Sequence, residues 1–156
     1  MNRIIALASP KGGCGSSFVC ANLWYSLLGA GHKVLALDMG YENSGLDYAL
    51  GFQNDYIYTL GDVICGNCTL EEALVTSPKA EQGFYMRADY EYTFQNFDKI
   101  RSLLENTDFE YILADVSGIS LKELDSHICD TIIYVTEPSE VAVHISESFS
   151  KTQMLK

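Results

Sequence analysis

Nine residues near the amino end, Ser9-Pro10-Lys11-Gly12-Gly13-Cys14-Gly15-Ser16-Ser17, have the composition and setting of a phosphate-binding loop. They follow an apolar run, Ile4-Ile5-Ala6-Leu7-Ala8, and lead into a helix-like stretch from Phe18 to Leu28. A glycine-rich turn between strand and helix is the context such a reading requires. Small residues let successive backbone N–H groups converge on one phosphate, and the helix amino terminus adds a favourable dipole. The standard pattern for these loops is G-x-x-x-x-G-K-[ST]. In this chain Pro10 stands at the first glycine and Ser16 at the lysine, whereas Gly15 and Ser17 conform. The backbone scaffold for a phosphate is kept; its main cation is not.

Other residues invite chemistry less strongly. Cys65-Gly66-Asn67-Cys68 has C-x-x-C spacing, but it lacks a second pair or a histidine partner, and His32 and His127 are far off in sequence. Two half-buried cysteines at a helix end are the simpler reading. His144 falls on a helix-like stretch with no nucleophile or acid in pattern and reads as a surface or packing residue. Tyr56, Tyr58, Tyr85, Tyr90 and Tyr92 cluster mid-chain. They could form a partner-binding face, but the edges of a core use tyrosine equally well, and the core reading is preferred.

The elements that must position the loop alternate between strand-like and helix-like, the signature of a parallel sheet with crossover helices. Strands are expected over Arg3–Ala8, Lys33–Asp38, Gly83–Arg87, Glu110–Asp115 and Thr131–Thr136. Helices are expected over Ser17–Leu28, Leu46–Leu50, Leu60–Cys65, Leu70–Val75, Thr93–Asn106, Leu121–His127 and Ser139–Leu155. Thr59-x-x-Asp62 and Thr69-x-x-Glu72 are capping-box starts. The fold class is therefore α/β, a three-layer arrangement with a mainly parallel sheet, helices on both faces and the phosphate site at the carboxyl ends of the strands.

A chain of 156 residues with 47% hydrophobic residues is one domain's worth and can bury a core. No window has the roughly 18 apolar residues of a membrane span, and the amino end is too short in apolar residues for a signal peptide. Five cysteines in no framework-like spacing suit a reducing compartment, so a cytoplasmic location is expected. A net charge of −11, with the ten lysines and arginines scattered, disfavours both nucleic acid and anionic lipid as partners.

Lys11-Gly12-Gly13-Cys14-Gly15 resembles the deviant Walker A motif, K-G-G-x-G-K-[ST], of the MinD/ParA family of P-loop ATPases. The likeness runs on through Lys33-Val34-Leu35-Ala36-Leu37-Asp38, Leu46-Asp47 and Leu50-Gly51. Asp62-Val63-Ile64-Cys65-Gly66 and Thr69-Leu70-Glu71-Glu72-Ala73-Leu74 are similar to the MinD, or septum site-determining, branch. Phe109 to Asp115 resembles the Walker B strand. The match covers nearly the whole chain, and the resemblance implies a single P-loop domain over residues 1–156, expected to be without the family's carboxyl-terminal part and membrane-binding helix.

The resemblance implies ATP or ADP with Mg²⁺ as cofactors. Gly12, Gly13, Cys14, Gly15, Ser16, Ser17 and Phe18 would surround the phosphates, and Ser17, Asp38 and Asp115 would sit at the metal. Lys11 is the family's signature lysine, which reaches into a partner's site in a nucleotide-sandwich dimer, so a catalytic role in trans is implied for it. A protein partner follows, either a second copy or an intact family member. Two departures bear on activity: Ser16 replaces the cis lysine, and Gly40 stands where the family has a water-positioning aspartate. Loss of one charge-assisted contact removes roughly 1.5–3 kcal/mol, about ten- to a hundredfold in affinity. The expected function is MinD-like spatial regulation, such as septum placement, with weak nucleotide binding and impaired or absent hydrolysis. Two alternatives are a scaffold of the same fold that binds no nucleotide, and a ParA-like pilus-assembly protein.

Overall fold

Val34-Leu35-Ala36-Leu37-Asp38 is buried at every position. A strand that is apolar without alternation has both faces covered, as in a parallel sheet sandwiched between helices. A computed structural model describes residues 2–9, 12–40, 45–53, 55–89, 96–116, 128–140 and 144. Its elements in chain order are β1 (Arg3–Ala8), α1 (Ser16–Gly29), β2 (Val34–Asp38), α2 (Leu46–Leu50), α3 (Leu60–Cys65), α4 (Leu70–Ala73), β3 (Val75–Thr76), β4 (Gly83–Arg87), α5 (Phe97–Glu105), β5 (Tyr111–Asp115) and β6 (Thr131–Tyr134).

The sheet runs β3-β4-β2-β5-β1-β6. Every neighbouring pair is parallel except β3 with β4. Each face carries its own core. On one, Cys20, Ala21 and Trp24 of α1 and Leu46 and Leu50 of α2 pack on Leu7, Val34, Ala36, Tyr85 and Leu113. On the other, Leu60 of α3, Ala73 of α4 and Ile100 and Leu104 of α5 cover Ile4, Ala6, Leu35, Leu37, Ile112 and Ala114. The three layers expected from the alternation are present.

Two expectations need correction. The helix from Leu70 ends at Ala73, and Val75–Thr76 pair with Tyr85 and Phe84 as a short antiparallel edge strand. Leu74 has already left the helix (φ −77°, ψ 131°), and two β-branched residues before Ser77-Pro78 suit an edge strand better than a helix end. The second is Cys65, which is exposed at the end of α3, with only Cys68 half-buried. The helix expected over Leu121–His127, Tyr90, Tyr92, and most of the expected stretch Ser139–Leu155 lie outside the described residues. Among the described residues no helix is long and apolar enough to cross a membrane.

Candidate functional site

At the carboxyl end of β1 the chain turns through Gly13 (φ 88°) and Gly15 (φ 90°) into α1. Both torsions lie in the left-handed region that L side chains avoid, so only glycine turns the backbone here without strain. A Cβ at Gly12, Gly13 or Gly15 would meet nothing within 4 Å. The turn therefore borders open space, as a cradle for a ligand must. Helix α1 starts with Gly15 as its N-cap, has no side-chain cap and carries no acid in its first turn. With no side-chain cap and no acid at its start, the amino end of α1 presents its dipole favourably to an anion.

The predicted phosphate-side residues Gly12, Gly13, Cys14, Gly15, Ser16, Ser17 and Phe18 thus fall together on the turn and the first turn of α1. Ser16 is buried, its hydroxyl 3.4 Å from that of Ser9. Ser17 is half-buried, and Phe18 is 70% exposed. Pro10 and Lys11 lie outside the described residues.

Asp38 and Asp115 end adjacent strands and face each other in register, both fully buried. Cys20, one turn into α1, lies close enough to feel both: burial and then the carboxylates of Asp115 and Asp38 push its thiol well above the ordinary range. It stays protonated and is no nucleophile.

Sequence reasoning missed the surroundings of Asp38. Arg87, at the end of β4, donates from Nη1 to Asp38 Oδ2 at 2.6 Å. The Tyr85 hydroxyl donates to the same oxygen at 3.2 Å, and the Gly40 N–H donates to Oδ1 at 3.2 Å. Burial disfavours the Arg87 charge, but Asp38, with smaller contributions from Tyr85 and Tyr56, holds the guanidinium above its ordinary value. Burial first, and Asp38 second, raise the Tyr85 phenol far enough that it remains a donor. An arginine closing an otherwise apolar strand was the available signal, but its partner depends on β4 lying beside β2.

The residues fit a phosphate group, since an uncapped helix behind an open glycine turn is what an anion requires. They fit a resident divalent cation poorly. Both Asp38 oxygens already have protein donors, one of them cationic, and among the described residues no cluster of three or more metal-ligating side chains exists.

A glycine turn feeding an uncapped helix, above the carboxyl ends of a parallel sheet covered on both faces, defines a P-loop-type α/β domain. No protein-family model matches the chain. It is 35% identical over 119 residues to the septum site-determining protein MinD of Helicobacter pylori, a match spanning 74% of this chain and 44% of that protein. Among solved structures it resembles the septum site-determining protein MinD of Pyrococcus horikoshii complexed with Mg-ADP (28% identity, TM-score 0.79, 99% of this chain and 65% of that one). It also resembles the MinC:MinD cell division protein complex of Aquifex aeolicus (25% identity, TM-score 0.77, 94% of this chain and 61% of that one). The chain belongs to the MinD/ParA family. It spans less than half the length of the Helicobacter protein.

Proposed function

We propose that this chain is a MinD-like protein of spatial regulation, acting in septum-site placement, that binds ATP or ADP weakly through Gly12–Ser17 and hydrolyses it slowly or not at all. One observation carries the nucleotide part: the uncapped start of α1 behind an open glycine turn. Weakness follows from Ser16, whose short buried hydroxyl near Ser9 supplies no cation. Impaired hydrolysis follows from Gly40, which has no side chain with which to orient a water. The relatives support the cellular role, because the similar proteins are named for septum-site determination and one is a complex with MinC. A protein partner, as a second copy or an intact family member receiving Lys11 in trans, belongs to the same proposal. DNA does not, given the charge of −11.

A second reading, a scaffold of this fold that binds no nucleotide, draws support from the exposed Phe18, Tyr25 and Tyr48 of α1 and α2. Calorimetry with ADP separates the two. The first expects a Kd of roughly 100 μM or weaker, about −5.5 kcal/mol. Absence of any heat at millimolar ADP supports the scaffold, and sub-micromolar affinity overturns the weak-binding part. Steady ATP turnover above background would overturn the impaired-hydrolysis part. Scoring septum position in cells depleted of this protein tests the cellular role.

A further inference from the structure

The sheet register lines up Arg87 with Asp38, and Asp38 with Asp115, across three adjacent strand ends. Each lies two residues beyond a member of the core under α1: Tyr85, Ala36 and Leu113. Side chains two apart in a strand share a face, so the three charged groups lie on the same side of the sheet as α1, whose first turn follows the glycine loop. The Asp38 side chain is fully buried and that of Arg87 is 19% exposed. Besides its 2.6 Å bond to Asp38, Arg87 reaches the Gly40 carbonyl at 3.5 Å from Nη2. One guanidinium thus spans the acid at 38 and the backbone at 40.

We propose that Arg87 stands in for a divalent cation at this corner of the site, so that phosphate binding by this chain does not depend on Mg²⁺. A buried carboxylate needs a positive partner or a proton. Arg87 supplies the partner from within the chain, as a planar fork that cannot lose its charge. Mg²⁺ is commonly held by one or two carboxylates and dehydrates reluctantly. With Asp38 paired to Arg87, one of the two buried carboxylates already has its cation within the chain. A second cation placed beside Asp38 would also meet the guanidinium, and like charges at such range repel strongly where water is scarce. The residues therefore disagree with the family's metal arrangement, and Arg87 is the reason.

Independence of phosphate binding from Mg²⁺ rests on the nucleotide reading above; exclusion of the cation by Arg87 does not, and Mn²⁺ alone tests it. Mn²⁺ suits the same oxygen ligands as Mg²⁺, and its binding is followed by electron paramagnetic resonance without nucleotide. The unmodified chain is expected to bind no Mn²⁺ below millimolar concentrations. Arg87→Gln, which leaves Asp38 without its cation, is expected to bind Mn²⁺ at least tenfold more tightly. The double variant Arg87→Gln with Asp38→Asn, which pairs two uncharged amides, should lose that gain. Micromolar Mn²⁺ binding by the unmodified chain overturns the proposal, as does a folded Arg87→Gln chain with no gain. Should Arg87→Gln fail to fold, Arg87→Met serves as the neutral variant in its place, with the same gain expected and the same absence of gain overturning the proposal. ADP affinity measured in EDTA and in excess Mg²⁺ should agree within threefold, and a tenfold gain with Mg²⁺ overturns the proposal. If ADP does not bind at all, the nucleotide reading falls alone, and the Mn²⁺ comparison between the unmodified chain and Arg87→Gln decides whether Arg87 excludes the cation.

Discussion

The Ser16 and Ser9 hydroxyls lie 3.4 Å apart beneath the glycine turn, and this small buried contact occupies the place of a lysine in the standard loop pattern. If the missing cation is what weakens binding, Ser16→Lys should tighten ADP roughly ten- to a hundredfold, the worth of one charge-assisted contact. Calorimetry checks this, and an unchanged Kd would mean that something other than position 16 limits affinity. Gly12 to Ser17 were legible because the motif is local: six consecutive residues carry both the turn and the helix start. Arg87 was not, because its role depends on strand β4 lying beside β2, 49 residues back in the chain at Asp38.

The short helices α3 and α4 are held by their ends more than by their length. Thr59 accepts from the Asp62 N–H at 3.4 Å while the Asp62 carboxylate accepts from the Thr59 N–H at 3.0 Å. Thr69 and Glu72 repeat the device, at 3.3 and 2.8 Å. Thr59 also donates to the Asp89 carboxylate, tying α3 to the segment after β4. Replacing Thr59 by Ala should therefore lower stability by about 1–2 kcal/mol, and Thr69→Ala by about 0.5–1 kcal/mol. Urea unfolding of the two variants checks both sizes and their order. Packing sets a sharper limit at the start of β4. A Cβ on Gly83 would lie 2.6 Å from Trp24 Cζ2, 2.8 Å from Cη2 and 2.9 Å from Leu28 Cδ1. Trp24 is fully buried, with Tyr25 and Phe52 edge-on at 5.0 and 6.1 Å between ring centroids. Its ring has little room to retreat, so Gly83→Ala should destabilise by about 1–3 kcal/mol. A variant as stable as the parent in the same unfolding assay would show that α1 can shift on the sheet.

Across the whole molecule the acidic excess makes the response to pH testable. Three carboxylates, Asp62 half-buried and Asp108 and Glu110 exposed, sit below their ordinary range: Asp62 through the Thr59 N–H, Asp108 through Lys33, and Glu110 through His32. A carboxyl lowered in the folded state stabilises above its unfolded pKa, and that stability disappears as pH falls through the folded value. The urea midpoint should hold between about pH 5 and 7 and fall below about pH 4, where carboxylates ordinarily titrate. Each contribution is small because the pairs keep contact with solvent. A midpoint that rises on acidification would mean that repulsion among the remaining acids outweighs these bonds.

The amino-acid sequence by itself determined the class of fold and the place of the loop. Apolar runs, capping boxes and a glycine turn are signals carried by residues near one another, and Leu46–Leu50, Leu60–Cys65 and Gly83–Arg87 form as elements over the bounds that the sequence implies. What only the tertiary structure decided is which strand ends meet. Strand order brings Arg87 to Asp38 and Asp38 to Asp115. The edge pairing of Val75–Thr76 was decided in the same way, by contact with β4 overriding a local helical pattern. Hydrogen bonding across a sheet joins residues far apart in the chain, and local periodicity carries no record of that order.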